Sequence, residues 1–266
     1  MDDRHGTRAI RVEVEVPGTP EQVWEAIATG PGISTWFVPA EVAEREGGEI
    51  VLHDLAPGLD DSGRITVWDP PRRLVYESSG EEGQRLAHEW LVEARSGSTC
   101  VVRLVNSGFG AGDEWDETIA SMEEGWRLFL DNLRLVLTHF PGRRARHVIV
   151  GGVSRRPAAE EWPALRASLG LPATAVGQRV ATSGADAPPL AGVVERETPT
   201  MLTLRLGEPT EGIGFLAAEE FGGQTMTSVY LYLLGDDADE VAARELPRWQ
   251  AWTTAQGLTV PAVRDG

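Results

Sequence analysis

The chain has 266 residues, 41% apolar and 24% charged, enough to bury the core of one large domain or two small ones. Its 41 acids outweigh 24 bases, every one of them arginine, for a net charge of -17. That balance opposes a nucleic-acid role built on neutralising phosphates, and the absence of lysine excludes lysine Schiff-base chemistry and a Walker A lysine. No run reaches the ~18–20 apolar residues of a bilayer span, and the first residues carry no apolar leader, so the sequence reads as cytoplasmic with no membrane span. A single cysteine, Cys100, excludes an internal disulfide and any multi-cysteine metal site.

In chain order, residues 8–16 alternate, with Ile10, Val12, Val14 and Val16 on one face, and predict a half-buried strand. Thr19-Pro20-Glu21-Gln22 supplies a cap, a proline at the first helical position and a polar first turn. Val23, Trp24 and Ile27 give the buried stripe of a short helix, which Gly30-Pro31-Gly32 is expected to break before another helical turn over 33–37. Strands follow at 41–45, 49–55, 63–69, 73–78, 85–94 and 99–107, separated by glycine and proline turn signals. With no helix between them they make an antiparallel meander. Trp68 lies off the parity of Ile65 and Val67 and is expected to face outward. A long helix over 113–139 closes this half, its acidic start matched to the helix dipole and its apolar stripe directed at the sheet.

These residues carry a resemblance. Thr19-Pro20-Glu21-Gln22-Val23-Trp24, Trp36-Phe37, Gly63-Arg64-Ile65, the run from Asp69-Pro70-Pro71 to Val75-Tyr76, Asn106-Ser107-Gly108-Phe109 and Gly125-Trp126 occur in the order of one superfamily. The first 140 residues resemble the SRPBCC superfamily, the helix-grip fold shared with START lipid-binding domains, and within it the heat-shock-protein ATPase activator homologues. Asn106 departs from the family's usual histidine. The resemblance implies an α+β fold in which a curved antiparallel sheet wraps a long C-terminal helix. That fold hosts binders, cyclases and co-chaperones alike.

The second half carries weaker echoes of the first. Gly48-Glu49-Ile50-Val51, Gly63 and Pro70 recur as Gly177-Gln178-Arg179-Val180, Gly192 and Pro199, each shifted by 129 positions, and Gly97 and Trp126 recur as Gly223 and Trp252, shifted by 126. We therefore expect two tandem helix-grip copies, 1–140 and a shortened 141–266, divided at Phe140-Pro141-Gly142 and the arginines after it. The second copy would run from a strand at 147–153 and a helix at 158–169, through strands at 192–197, 201–206, 214–220 and 225–234, to a closing helix from about 236 that Pro247 kinks or splits.

Candidate site residues come from the first copy. Trp36, Phe37, Tyr76, Trp90, Phe109, Trp115, Trp126 and Phe129 either line a ligand pocket with Ile119 and Met122 or simply fill the space under the helix. His88 shares parity with Leu86, Trp90 and Val92, which places an imidazole on the apolar face; His53 joins the candidates if a bulge turns it inward. No HxH or HExxH pair, GxSxG elbow or GxGxxG loop is present, so neither a catalytic residue, a metal nor a cofactor is assigned. The leading expectation is a non-enzymatic protein that takes an apolar or aromatic small molecule between sheet and long helix. Two alternatives stand beside it: a protein-interaction or co-chaperone module, and an aromatase/cyclase-like enzyme using His88 and Tyr76 as an acid–base pair.

Overall fold

The structure is a computed structural model and describes residues 8–56, 59–79, 85–109, 115–221 and 223–259. The chain forms two compact units that divide between Arg144 and Ala145. The loop glycines Gly110 and Gly112 and the acids Asp113 and Glu114 lie outside the described residues.

In the first unit, strand β1 (Arg8–Pro17) leads into helix α1 (Pro20–Ala28). Its cap is a full capping box: the Gln22 amide N–H donates to the Thr19 hydroxyl, and the Gln22 side chain accepts from the Thr19 N–H. Helix α2 (Gly30–Ile33) starts on the Gly-Pro-Gly run that was expected to be a break. Thr29 caps it by accepting from the Gly32 N–H, and Pro31 sits at the helix start, where its missing N–H would have had no partner.

Strands β2 (Ala40–Val42), β3 (Glu49–Ala56), β4 (Leu59–Asp69), β5 (Arg73–Ser79), β6 (Arg85–Ala94) and β7 (Thr99–Phe109) complete a seven-stranded sheet of order β1-β7-β6-β5-β4-β3-β2. Helix α3 (Asp116–His139) lies over its inner face, where Trp126 meets Phe37, His88 and Trp90 ring to ring. Leu130, Leu133 and Val136 of α3 are buried with Ile10, Leu74, Val102 and Leu104 of the sheet.

The second unit repeats this plan with one strand fewer. Strand β8 (Arg146–Ser154) is followed by helix α4 (Ala158–Leu169), then β9 (Arg179–Ala181), β10 (Ala191–Glu197), β11 (Met201–Glu208), β12 (Gly212–Phe221), β13 (Gln224–Leu233) and helix α5 (Ala238–Ala255). The sheet order is β8-β13-β12-β11-β10-β9, so in both units the opening strand pairs with the last strand of the meander. Helix α5 runs on through Pro247 rather than splitting there. Proline removes one backbone donor, and the buried Val241, Trp249 and Trp252 hold both halves of the helix on the core.

Two details align the copies residue by residue. The Gly47 N–H donates to the Ile65 carbonyl, and the Ile65 N–H to the Gly48 carbonyl; Gly177, Val194 and Gln178 repeat the same pair of bonds. Gly47 (φ 74°) therefore corresponds to Gly177 (φ 87°), one residue away from the Gly48 match expected from sequence, because it is the left-handed turn that demands glycine. The second detail is a bulge at Thr66 in β4 and at Glu195 in β10, beyond which the register shifts. The bulge brings Trp68 opposite the buried Leu74, and Trp68 meets Trp24 edge-on at 5.2 Å; it does not face outward as its parity suggested.

Candidate functional site

A row of paired residues crosses the inner face of the first sheet. Tyr76 on β5 lies opposite His88 on β6, His88 opposite Asn106 on β7, and Asn106 opposite Ile10 on β1. Ser78, two residues beyond Tyr76, points to the same face. All of these side chains are buried. The Tyr76 and His88 rings stack at 4.5 Å and 5°. A Cβ on Gly63 would stand 2.9 Å from Tyr76 Cδ2, so glycine there leaves room for that ring.

The polar atoms form a line. His88 Nε2 is 3.3 Å from Ser78 Oγ, and His88 Nδ1 is 3.1 Å from Asn106 Nδ2. The half-buried Asp61 carboxyl stands near the Ser78 end of this line. Burial lowers the His88 pKa to about 4, so the imidazole is neutral at pH 7, and burial raises the Asp61 carboxyl above its ordinary value. Burial and the Asp61 charge push the Tyr76 hydroxyl pKa well above the usual phenol value. One polar atom of the line has no partner: Asn106 Oδ1, on a residue with no exposed surface.

The second unit provides an internal comparison. Its register places Leu204 where Tyr76 stands, Leu206 at Ser78, Gly214 at His88, Leu231 at Asn106 and Leu216 at Trp90. Two residues before the paired glycines Gly63 and Gly192, Asp61 is matched by the buried Leu190. A Cβ on Gly214 would meet Leu231 Cδ2 at 3.1 Å and Leu206 Cδ2 at 3.2 Å, so two leucines fill the room that the imidazole occupies in the first unit. The fold thus closes the same place with aliphatic side chains alone.

The aromatic candidates fall into two groups. Trp36, Phe37, Trp90, Trp126 and Phe129 interlock with ring centroids 4.5–5.8 Å apart. Phe109 and Trp115 make a separate pair at 6.1 Å. Along α3, Trp115, Ile119 and Met122 are half-buried whereas Trp126, Leu130 and Leu133 are buried, so the start of the helix covers the sheet less completely than its middle. His53 does not join these residues. Ile50 and Leu52 take the buried parity of β3, and His53 stands on the other face against Asp60 (2.9 Å) and Glu41 (3.6 Å), with the Asp60 hydrogen bond holding its pKa up.

Sequence reasoning missed Asp61, Ser78 and a buried asparagine on α3, Asn132, whose side-chain N–H donates to the Trp36 carbonyl at 2.6 Å, and it named Asn106 only as a departure from the family's histidine. The parity of Asn106 with Val102 and Leu104 was the available signal. Elsewhere, a hollow of about 320 Å³ touches Arg72, Arg73, Leu91 and Arg103, but Asp69, Glu89 and Glu13 already pair its three arginines. Among the described residues no three His, Cys, Asp or Glu side chains gather as a metal site, and no helix is long and apolar enough to cross a membrane.

With this geometry in place, the chain can be set beside known proteins. Residues 17–138 match the Activator of Hsp90 ATPase homolog 1-like protein family. The matched segment runs from the end of β1 through α3 and contains the whole polar line, in the SRPBCC-type fold implied by the sequence motifs. No curated protein matches the chain. Solved structures similar to it include DynU16, from the dynemicin biosynthetic locus (17% identity, 94% of this chain and 96% of that one, TM-score 0.43). The di-domain ARO/CYC BexL from the BE-7585A biosynthetic pathway is similar at 17% identity, over 94% of this chain and 95% of that one, with TM-score 0.44. The Aha1 dimer from Colwellia psychrerythraea is similar at 19% identity over 51% of this chain and 99% of its own, with TM-score 0.43.

Proposed function

We propose that the first unit binds a small apolar or aromatic molecule between its sheet and the first half of α3, against the Tyr76–His88–Asn106 row. The observation that supports this is the contrast between the copies: the first unit holds Asp61, Ser78, His88 and Asn106 where the second holds Leu190, Leu206, Gly214 and Leu231. A core gains nothing from a buried acceptor without a partner, which costs about 1–3 kcal/mol. A ligand that enters beside Ile119 and Met122 would satisfy the polar row and bury its apolar surface at about 25 cal/mol per Å², before ordering costs. The second unit, lacking the row, has a structural role in this proposal, and the setting is cytoplasmic.

The row binds rather than catalyses. His88 and Tyr76 stack face to face instead of sharing a proton, and both imidazole nitrogens are engaged. The interlocked rings from Trp36 to Phe129 favour one rival, the co-chaperone reading that the family description suggests, in which the core is filled and a protein partner docks outside. Native mass spectrometry of freshly purified protein separates the two. An added mass of a few hundred daltons, absent after denaturation and absent from a folded His88→Leu variant, supports binding. A bare mass combined with no shift of β5–β7 amide resonances on titration with naphthalene-type probes refutes it.

A further inference from the structure

Helix α3 consists of two unlike segments that meet at Gly125. Among the described side chains over residues 116–124 none is buried, and Ile119 and Met122 are only half-buried. From Trp126 onward the stripe is buried, through Leu130, Leu133 and Val136. Trp126 itself meets His88 ring to ring, so the change falls at the polar row. A Cβ on Gly125 would meet no described atom within 4 Å, so packing does not demand glycine there. Within a helix glycine nevertheless favours the unwound chain about fivefold relative to alanine. The segment before it is shorter than the about 12–15 residues that an isolated helix needs in water. It also starts on Trp115, which makes no side-chain capping hydrogen bond. Its Arg8–Asp116 ion pair to β1 (2.8 Å) and the Glu123–Arg127 pair that spans Gly125 are partly exposed, and such pairs add little. Helix α5 of the second unit is built differently. It contains no glycine, and Ala238, Val241, Trp249 and Trp252 bury it along its whole length. The weakly held segment therefore belongs to the unit that carries the polar row.

We propose that residues 116–124 of α3 form a gate hinged at Gly125, which unwinds from the sheet to admit the ligand and closes again over it. This rests on the binding function proposed above and supplies its entrance. Local openings are drawn from the least buried parts of a fold, and here that part lies directly beside the row. Ile119 and Met122 cover the ligand when the gate is closed. Entry and exit use the same opening, so the population of the open form sets both rates and cancels from their ratio. Alanine at position 125 fits the closed helix and disfavours the open one. It should slow entry and exit by the same factor, about fivefold.

Two measurements on the full chain test this. The first needs no ligand. Amides of residues 121–124 should exchange hydrogen at least about a hundredfold faster than those of residues 130–136, after correction for intrinsic rates. Gly125→Ala should slow the first group about fivefold. Equal protection of the two groups in the wild-type chain, or unchanged exchange of residues 121–124 in the variant, overturns the gate. The second is stopped-flow tryptophan fluorescence with 2-naphthol. Gly125→Ala should lower the association and dissociation rate constants alike, about fivefold, and leave Kd where it was. A glycine that only shapes the site would move Kd instead. Unchanged rates, or a shift in Kd without a matched fall in both rates, overturn the gate while leaving the binding function standing. No binding of 2-naphthol by the wild-type chain, alongside the expected exchange, overturns the binding function and the gate as its entrance, and leaves only a local opening of α3.

Discussion

Exchanging the polar row for its second-unit counterparts, in the triple variant Ser78→Leu, His88→Gly and Asn106→Leu, should leave the first unit folded and less sensitive to acid. His88 supplies the magnitude. Its folded pKa is about 4 against an ordinary 6.5, because burial disfavours the imidazolium. Between those values the unfolded chain binds the proton and the folded chain does not, so stability is complete above pH 6.5 and falls as the pH drops toward 4. At pH 4.5 the loss from this one group is about 2.5 kcal/mol, from a shift of roughly 2.5 units at about 1.4 kcal/mol each, less the part not yet titrated. Asp61 works in the opposite sense, since a raised carboxyl pKa makes the folded state the better proton acceptor, and the triple variant keeps it. At pH 7 the exchange removes an unpaired buried acceptor, worth about 1–3 kcal/mol, against roughly 1 kcal/mol for glycine within a strand. Urea unfolding at pH 7.0 and 4.5, followed by hydrogen exchange of β5–β7 amides, reads the first unit by itself. The wild-type chain should lose about 2.5 kcal/mol more than the variant between the two pH values. Equal losses would show that His88 is not a buried neutral imidazole, and an unfolded variant would show that the polar row is needed for the fold.

Other outcomes follow from single contacts. Asn132→Ala should destabilise the first unit by about 1–3 kcal/mol by stranding the buried Trp36 carbonyl, measurable as a lower urea midpoint with unchanged slope. Thr19→Ala removes the capping-box hydroxyl of α1 and should cost about 1 kcal/mol, with Thr19→Gly costing less. The Cys100 thiol is buried with its pKa raised by desolvation, so a disulfide reagent at pH 8 should react with native protein far more slowly than with urea-unfolded chain. Above pH 10 the buried Tyr76 should stay protonated while an unfolded chain ionises it, so stability should fall as the pH rises, and Tyr76→Phe should flatten that fall.

Much of the architecture was legible because alternation and turn residues act locally. The strands from β1 to β8, and α4 at residues 158–169, follow from side-chain period and from glycine and proline placement. What escaped depends on register. The Thr66 bulge reverses Trp68, and the one-residue offset between Gly48 and Gly177 disappears once the left-handed turn is seen to sit at Gly47. Pro247 was expected to kink or split the last helix, and the continuous α5 removes the split, because packing on both sides of the proline was invisible in the sequence. The site was half legible: parity placed His88 among apolar neighbours, but its partners Ser78 and Asn106 lie 10 and 18 positions away and meet it only through cross-strand pairing. His53 shows the reverse case, since it stands on the face opposite the buried Ile50 and Leu52 and two carboxylates hold it there.

The pairing of the first strand with the last has a consequence for synthesis. Val16 lies opposite Cys100, 84 positions later, and Arg8 opposite Phe109. At about 5–20 residues per second, β1 leaves the ribosome and waits roughly 4–20 s before its partner exists. Through that interval Ile10, Val12 and Val16 have no sheet to cover them, so the nascent chain is most open to capture by a chaperone before β7 emerges. The second unit imposes a similar wait on β8, whose partner β13 is the last strand made. A translational pause before β7 has emerged would lengthen the exposure of the first strand, whereas one after Phe109 has left the ribosome would come too late to matter to it.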